Sequence, residues 1–437
     1  MNEQFLNRMK DLLGDRYEEY VATLDLPPYK GFRINTLKIS EEEYFERFTI
    51  RCHHTPFASD AYVLDEDTLL GNSLAHRLGL MYLQEPSAAS AVEVLDPKPG
   101  DYILDLCAAP GSKSTQIAVR MKGEGLLVSN EYDHKRAQVL LSNIERLGIG
   151  NAVVTNATVD RLCPILEESM DKVLVDAPCS GEGMFRKEDE ALANWSVDNV
   201  LACARRQKFI LNEAYKALKK DGIMVYSTCT YSKEENEEVI AWFLDEHPDM
   251  ELLPIEVSWG TAGSDMNGKP THYCRRIFPM DKGEGHFVAR MVKHGGSSRS
   301  LKQMKSERID ETASMFLKSM SLKDYKYQLY THDRFYVGDQ PFWHFGNINL
   351  LRNQILVGEV VKGRFEPHHH FFTCLAYDDA VNKVDISEEE CELFMKGNTI
   401  VRDARGYQAV YCEKQAVGFG KGDGSIIKNK YPKGLRR

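Results

Sequence analysis

LDLCAAPGSKS, at residues 104–114, is the stretch that decides the fold of this chain. It places a turn of small residues between an apolar segment, 103–106, and a segment with helical character, 113–121. Small residues let a backbone approach a ligand closely, and a helix N-terminus favours a negative group. Because open α/β sheets bind ligands at the carboxyl ends of their strands, this turn is expected to hold a nucleotide-type ligand.

Apolar and helical segments alternate on the C-terminal side of this turn. Asp133 is expected to cap a helix that ends at Gly148, and a later helix is expected to end at 218–222. Further strands are predicted at 126–129, 153–154, 173–175, 223–226 and 286–291. This alternation predicts an α/β fold with a mostly parallel, doubly wound sheet.

A chain of 437 residues is too long to fold around one compact hydrophobic core, so two or three domains are expected. Residues 1–92 form a first region, and 93–293 carry the strand–helix alternation. Residues 294–308 are polar and rich in small residues, which predicts a linker, and 309–437 form a separate β-rich unit. The first region begins with an amphipathic helix whose apolar face is formed by Phe5, Leu6, Met9, Leu12 and Leu13.

Composition excludes several classes of protein. No apolar run reaches the length of a membrane span, and the first residues lack a signal-peptide core, so a cytoplasmic protein is expected. The ten cysteines, from Cys52 to Cys412, contain no CxxC pair, which indicates reduced thiols and argues against a zinc ribbon. Residues 368–370 are three histidines, but neighbours on a strand point to alternate faces and no acid or cysteine cluster accompanies them. No metal site is therefore predicted.

The net charge of -10 counts against a nucleic-acid ligand, which usually leaves a basic footprint on its protein. Total charge is a weak criterion, however, because a local basic groove can exist on an acidic protein.

Two phosphate-binding patterns can be tested on the loop at 104–114. A dinucleotide GxGxxG is absent, because Cys107, Ala109 and Ser112 stand at the glycine positions, and a GxxxxGK[ST] pattern fails at Cys107 and Ser112. Asp105 ends the strand and is placed to orient the loop or the amino acid part of a cofactor. Glu131 follows the second strand, where an acid accepts hydrogen bonds from ribose hydroxyls. For this segment alone, a purely structural βα turn remains the alternative.

Two further predicted strand ends each present a thiol. VLVDAPCSGEGMFRK, at 173–187, contains Asp176 and Cys179, and MVYSTCTYS, at 224–232, contains Cys229. A single buried cysteine is usually an inert packing residue. Two thiols at the carboxyl ends of parallel strands indicate chemistry, because that edge carries the active site in this architecture. The residues by themselves do not rank the two thiols.

These segments together resemble the Sun-type family of RNA 5-methylcytosine methyltransferases. DAPCSG followed by a strand ending in STC carries the resemblance, with AAPG and its downstream acid in support, over about residues 32–291. FRINTLK, QEPSA and GEGHF are similar to family segments as well. GEVVKGRFEPHHH and the ending KNKYPKGLRR look closest to the bacterial ribosomal small-subunit methyltransferase F group.

The resemblance implies a Rossmann-like class I methyltransferase domain that uses S-adenosylmethionine. It also implies a small N-terminal α+β region that binds RNA and a C-terminal β-rich, PUA-like accessory RNA-binding domain. The cofactor-binding residues implied are Cys107, Ala108, Ala109, Pro110, Gly111, Ser112, Lys113, Glu131 and Asp176.

Carbon 5 of cytosine is a poor nucleophile, so attack of a thiolate on carbon 6 is needed to activate it. DNA cytosine methyltransferases use a Pro-Cys thiol, which would favour Cys179. The RNA family uses the Thr-Cys thiol, so the resemblance implies that Cys229 attacks, Cys179 assists release, and Asp176 holds the edge of the base.

Two departures from the family pattern concern the cofactor site. Ser112 stands where a second glycine is common, which matters only if the position needs a positive φ. The acid that often contacts the adenine aligns near Thr158, with Asp160 two residues later. Neither residue is included in the predicted cofactor set.

The partner implied is RNA, above all small-subunit ribosomal RNA or a small-subunit particle, with its target base flipped out or single-stranded. No obligate protein partner is inferred. Phosphate contacts could come from Lys30, Arg33, Lys38, Arg186 and Lys187, although a solvated surface charge is the more common role of any one such residue. The basic end formed by Lys428, Lys430, Lys433, Arg436 and Arg437 indicates either a phosphate-contacting segment or a solubilising tail. The alternatives are the same chemistry on transfer RNA and a non-catalytic RNA-binding ribosome assembly factor. A nicotinamide oxidoreductase is disfavoured by the missing glycine pattern.

Overall fold

A computed structural model describes residues 2–66 and 69–436. The N-terminal region is a four-stranded antiparallel sheet with helices around it. Its elements are α1 (Glu3–Leu13), α2 (Tyr17–Thr23), β1 (Gly31–Ile34), α3 (Glu41–Arg47), β2 (Cys52–His54), β3 (Ala61–Leu64), α4 (Leu74–Arg77) and β4 (Met81–Leu83), with strand order β2-β3-β1-β4.

Helix α1 is amphipathic, as its sequence predicts. Its Phe5 and Met9 side chains are buried, and the Phe5 ring meets the rings of Phe185 and Trp195 at centroid distances of 4.9 and 5.5 Å. Phe185 belongs to the segment that follows the DAPCSG motif. The first helix of the chain therefore packs against one of the predicted functional segments.

The central domain is built on one large sheet. Its elements up to the third parallel strand are α5 (Ser90–Leu95), β5 (Tyr102–Asp105), α6 (Ser112–Arg120), β6 (Leu126–Asn130), α7 (His134–Arg146) and β7 (Ala152–Asn156). The remaining elements are α8 (Val159–Leu162), β8 (Met170–Asp176), α9 (Asp189–Ala193), α10 (Val197–Ala217), β9 (Leu218–Thr228), α11 (Glu237–Glu246), β10 (Met250–Leu253), β11 (Thr261–Ala262), β12 (Arg275–Ile277) and β13 (His286–Lys293).

Strands β7, β6, β5, β8 and β9 are parallel neighbours in that order, with β13 antiparallel to β9. The predicted doubly wound sheet is therefore confirmed in its five parallel central strands, and antiparallel strands at both edges make the sheet as a whole mixed. Every strand predicted from the sequence is present. Asp133 caps α7 by accepting a hydrogen bond from the backbone N–H of Arg136 at 2.8 Å, and Gly148 follows the helix with φ +68°. Both ends of this helix lie where the capping residues predict.

The C-terminal unit contains two β-sheets. Its elements are α12 (Glu311–Met320), β14 (Tyr327–Thr331), β15 (Arg334–Gly338), β16 (Asn349–Asn353), β17 (Ile355–Val361), β18 (Arg364–Pro367), α13 (His369–Cys374), β19 (Lys383–Ile386), α14 (Glu388–Met395), β20 (Ile400–Val401), β21 (Arg405–Cys412), β22 (Gln415–Asp423) and β23 (Ile426–Asn429). One sheet has the order β14-β15-β17-β18, and the other has the order β19-β21-β22-β23-β20.

Strand β16 leaves these two sheets and pairs antiparallel with β7 at the edge of the central sheet. The segment 294–308 is also held by hydrogen bonds to the central domain, since the N–H of Arg299 donates to the carbonyl of Glu168 at 2.8 Å. The C-terminal unit is thus joined to the central sheet by strand pairing.

The expectation that residues 368–370 lie on a strand is wrong, because they begin helix α13. His368 is the N-cap and accepts from the N–H of His370, whose own Nε2 lies 3.1 Å from the carbonyl oxygen of Ile149. Burial lowers the pKa of His369 to about 4, so this ring is neutral at pH 7. Across the described residues, no group of three or more potential ligands is arranged to hold a metal ion, and no helix is long and apolar enough to cross a membrane.

Candidate active site

The predicted functional segments meet at one edge of the central sheet. Strand β5 ends at Asp105, β8 at Asp176 and β9 at Thr228, and the three strands are parallel neighbours. In the register of β8 and β9, Asp176 lies beside Ser227. The loop after β5 and the two cysteines that follow β8 and β9 are therefore brought together by the strand order alone.

A cavity of about 770 Å³ opens at this edge. Its walls include Cys107 and Ala109 of the loop, and Cys179 and Cys229 after the other two strands. Glu131 and Asp176 line it as well. The volume lies within the range of small-molecule and cofactor sites. Six of the predicted site residues thus share one cavity, whereas Ala108, Pro110, Gly111, Ser112 and Lys113 do not line it.

The two sulfur atoms are neighbours. Cys179 Sγ and Cys229 Sγ lie 3.1 Å apart, at the contact distance of a thiol hydrogen bond. This contact with Cys229, followed by burial, raises the pKa of the Cys179 thiol well above its ordinary value. Cys179 therefore keeps its proton at neutral pH and can donate it toward the Cys229 sulfur.

Asp176 is held as a carboxylate beside these thiols. Lys113 Nζ donates to its Oδ2 at 2.7 Å, Ser227 Oγ donates to its Oδ1 at 2.7 Å, and His286 Nε2 lies 3.8 Å from Oδ1. Burial alone would raise the pKa of Asp176, but the charge of Lys113 and the nearby His286 outweigh it and hold the pKa well below its usual range. The carboxylate is ionised throughout the neutral range and can accept hydrogen bonds from a ligand.

The cofactor loop is fixed from three sides. Arg136 donates to the carbonyl of Ala109 at 2.8 Å, Asn143 Nδ2 to that of Pro110 at 2.9 Å, and Arg33 to that of Ser112 at 2.7 Å. Gly111 precedes α6 with φ +109°, a conformation that L side chains rarely adopt. The glycine that the loop needs is therefore Gly111, and serine at position 112 is tolerated because it is the first residue of the helix.

Asp105 lies beneath this loop with no exposed surface. Its Oδ2 accepts from Ser114 Oγ at 2.6 Å, whereas Oδ1 has no hydrogen-bond partner. Burial raises the pKa of Asp105 to about 7, against the opposing effect of the Ser114 hydroxyl. A buried carboxyl group with one unpaired oxygen destabilises the fold, and such groups are concentrated at functional sites.

We expect Asp105→Asn to remove a pH-dependent loss of stability. Since the pKa is near 3.8 in the unfolded chain and about 7 in the fold, the folded state binds more protons between these values, and stability falls as pH rises through this window. Between pH 5 and pH 8 the titration of Asp105 should lower the free energy of unfolding of the wild type by about 2–3 kcal/mol, and the variant should not show this decrease. Melting temperatures of both proteins at pH 5, 6, 7 and 8 measure this difference.

The matched control is Asp101→Asn, which changes a carboxylate outside the cavity that is already paired with Lys172. A gap between Asp105→Asn and wild type that stays constant from pH 5 to pH 8 would contradict the assignment.

Glu131 lies at the far end of the cavity and is almost fully buried. Its Oε1 accepts from the backbone N–H of Asp133 at 2.9 Å, and Arg136 Nη1 lies 3.5 Å from Oε2. Glu131, the acid predicted after the second strand, therefore lines the cavity. Thr158 and Asp160, which the sequence did not assign to the cofactor site, line it as well.

Three of the candidate phosphate contacts are structural, so neither a phosphate contact nor a solvated surface charge describes them. Arg33 is 2% exposed and holds the cofactor loop. Lys38 Nζ donates to the carbonyls of Leu78 and Arg146, and its burial lowers its pKa to about 7. Arg186 donates to two backbone carbonyls in the segment before β1, and its side chain is 5% exposed.

The basic C-terminal end is less free of acids than its sequence indicates. Lys428 Nζ lies 3.4 Å from Asp423 Oδ2, and Arg436 donates to the carbonyl of Tyr431. Lys30, Lys430 and Lys433 are exposed and Lys187 is partly exposed, so their phosphate contacts stay predictions; Arg437 lies outside the described residues.

Three residues of the site were not singled out from the sequence. Ser227 and His286 flank Asp176, and Glu235 accepts from the N–H of Ser180 at 3.0 Å, next to Cys179. Burial raises the pKa of Glu235 to about 7. The GEGHF segment was a signal for His286, and the serine before the Thr-Cys pair was a signal for Ser227, because alternate residues of a strand share one face.

Sequence profiles of three families match the chain. The profile of 16S rRNA methyltransferase RsmB/F covers residues 92–292, that of the N-terminal domain of 16S rRNA methyltransferase RsmF covers 1–86, and that of the methyltransferase RsmF PUA domain covers 381–437. The ribosomal RNA small subunit methyltransferase F of Vibrio vulnificus is 32% identical over all of this chain and 97% of its own length. The protein of the same name from Erwinia tasmaniensis is 31% identical over 99% of this chain and 96% of its own.

Solved structures share the fold. A methyltransferase homologue from Pyrococcus horikoshii is 30% identical, with a TM-score of 0.60 over 67% of this chain and 95% of its own. NSun6 from Pyrococcus horikoshii, solved with SFG, is 22% identical, with a TM-score of 0.59 over 68% of this chain and 99% of its own. Fold and cavity thus define a Rossmann-like methyltransferase with an N-terminal domain and a C-terminal PUA-like unit. Within that class, the chain belongs to the ribosomal RNA small subunit methyltransferase F family.

Proposed function

We propose that this protein transfers a methyl group from S-adenosylmethionine to carbon 5 of a cytosine in 16S ribosomal RNA, by way of a covalent adduct with Cys229. The observation that carries the proposal is the pair of sulfur atoms, 3.1 Å apart, at the cavity that the cofactor loop also lines. The relatives act on ribosomal RNA of the small subunit by name, which supports the substrate. Since this RNA is assembled in the bacterial cytoplasm, we place the activity there.

The cavity fits the cofactor, and S-adenosylmethionine supplies a methyl group on a sulfonium when bound. Its positive charge suits an acidic site, and Glu131, Asp133 and Asp160 all line this part of the cavity. Glu131 is placed for the ribose hydroxyls. The loop at 107–113 and Asp176 leave room between them for the methionine part.

The two thiols take different roles in this reaction. Cys179 keeps its proton and lies 3.1 Å from the Cys229 sulfur, so it is placed to protonate that sulfur as it leaves. The attack is assigned to Cys229, the Thr-Cys thiol that the family uses. Its attack on carbon 6 forms a carbon–sulfur bond and moves the electrons of the 5,6 double bond to carbon 5, which takes the methyl group. A water molecule then takes the proton from carbon 5, and the electrons of that carbon–hydrogen bond reform the 5,6 double bond. The carbon–sulfur bond breaks at the same time, and its electron pair leaves with the Cys229 sulfur as a thiolate.

Asp176 and Lys113 form the polar edge of the base site. The carboxylate accepts from the amino edge of a cytosine, while the Lys113 ammonium, 2.7 Å from Asp176 Oδ2, can donate to a ring carbonyl. This donor–acceptor pair matches cytosine, which presents both kinds of group. Uracil lacks the amino group, and the Asp176 carboxylate would then face a carbonyl oxygen.

The test is product identification. The purified protein is incubated with methyl-labelled S-adenosylmethionine and either 16S ribosomal RNA from cells that lack the gene or bulk transfer RNA, and the RNA is then digested to nucleosides. We expect label in 5-methylcytidine from 16S ribosomal RNA alone. Label in another nucleoside would overturn the chemistry, label in transfer RNA alone would overturn the substrate, and no label in either RNA would favour a non-catalytic assembly factor.

A further inference from the structure

The walls of the reaction cavity differ in charge. On the cofactor side the lining side chains Glu131, Asp133 and Asp160 are acidic, and the one cation there, Arg136, is engaged with Glu131 and the loop. On the other side the cavity is lined by helix α10, through Arg206, Phe209 and Ile210. A polyanion entering this cavity is repelled from the first side and attracted to the second.

Helix α10 carries two adjacent arginines that are exposed to solvent, and the second of them, Arg206, lines the cavity. Arg205 and Arg206 are exposed, and no carboxylate of residues 2–66 or 69–436 lies within ion-pair distance of either. Lys208 on the same helix differs, since its ammonium lies over the ring of Trp242, 5.1 Å from the centroid. In a chain with a net charge of -10, two adjacent exposed arginines without an acid partner form a local positive site.

This site is fixed relative to the reacting sulfurs. Gln207, the next residue along α10, is fully buried and donates to the carbonyl of Pro178 at 3.1 Å and to Glu235 at 2.8 Å. Pro178 directly precedes Cys179, so the helix is tied to the loop that carries this thiol. Arg206 lines the same cavity as Cys179 and Cys229.

We propose that Arg205 and Arg206 bind the phosphodiester backbone of the RNA strand on either side of the target cytosine. This inference rests on the proposed function. A flipped base enters the cavity while its phosphates stay at the rim, and guanidinium groups pair with phosphate oxygens in a bidentate manner. The cofactor does not need these cations, because it carries no phosphate and its sulfonium is positively charged.

The test compares two double variants. Arg205→Gln with Arg206→Gln removes the proposed site, and Lys216→Gln with Lys220→Gln removes two exposed lysines at the other end of α10 and the start of β9. Affinity for a fluorescein-labelled, 20-nucleotide single-stranded RNA is measured by anisotropy, without cofactor, from about 50 to 200 mM salt. Melting temperatures confirm that both variants fold.

We expect the arginine variant to bind the RNA about tenfold more weakly at the lowest salt. We also expect a plot of log affinity against log salt concentration to be shallower by about 1.4, because each of two lost phosphate contacts contributes about 0.7 to the slope. The lysine variant should match wild type. Equal effects of both variants, or unchanged RNA affinity in the arginine variant, would overturn the site. Because this assay needs no methyl transfer, it can fail while the product test succeeds, and the reverse.

Discussion

Replacing Cys229 with serine should lower the rate of methyl transfer to RNA by roughly 10⁵-fold, the scale of loss when a catalytic nucleophile is removed. Serine keeps the size of the side chain, so the fold and the cavity should persist. Its hydroxyl does not ionise near neutral pH, and the group in contact with the Cys229 side chain is the Cys179 thiol, 3.1 Å away, which keeps its own proton. Single-turnover transfer of labelled methyl groups measures this rate.

Cys203→Ser is the matched control. Cys203 lies buried on α10 close to the site, but its thiol does not line the cavity, so this variant should keep nearly the full rate. If Cys229→Ser retained more than a tenth of the wild-type rate, the assignment of the nucleophile would be wrong. If Cys179→Ser lost the first turnover instead, the two thiols would have exchanged roles.

Replacing Cys179 with alanine should trap the covalent protein–RNA adduct. The variant keeps the Cys229 nucleophile but loses the thiol proton beside it, so the adduct forms and methyl transfer follows, while elimination is slowed. We expect turnover to fall by about 10²–10⁴-fold, the range for loss of a general acid–base group, with an adduct approaching one RNA per protein. Denaturing gel electrophoresis separates the adduct from free protein.

The control is the double variant Cys179→Ala with Cys229→Ser. It should form no adduct, because it lacks the Cys229 sulfur that forms the bond to carbon 6. An adduct of equal yield in the double variant would mean that another of the ten cysteines attacks the RNA. If the single variant Cys179→Ala formed no adduct, the assignment of Cys179 to product release would be wrong.

The parts of this molecule that sequence predicts well are those with local causes. The central strands are continuous apolar segments, and Asp133 and Gly148 mark the two ends of α7 by capping chemistry. The convergence of Cys107, Cys179 and Cys229 could also be predicted, because carboxyl ends of parallel strands share one edge.

The parts that sequence did not predict depend on burial and on non-local pairing. Arg33 and Lys38 look like surface cations, yet their side chains satisfy backbone carbonyls at domain contacts. Arg186 and Lys187 follow the DAPCSG motif and so stand out as candidate phosphate contacts, whereas Arg205 and Arg206 lie in the middle of an ordinary helical pattern. Pairing of β16 with β7 joins segments almost 200 residues apart, and no local pattern records it.

The pairing of β16 with β7 also determines whether the central domain can be produced without the C-terminal unit. With β16 in place, β7 is an interior strand, and its N–H and C=O groups are bonded on both sides. A fragment ending near residue 293 would leave β7 as a bare edge, open to pairing with other molecules. A chain shortened in this way would be prone to aggregate, so a loss of activity in it would not measure what the C-terminal unit contributes.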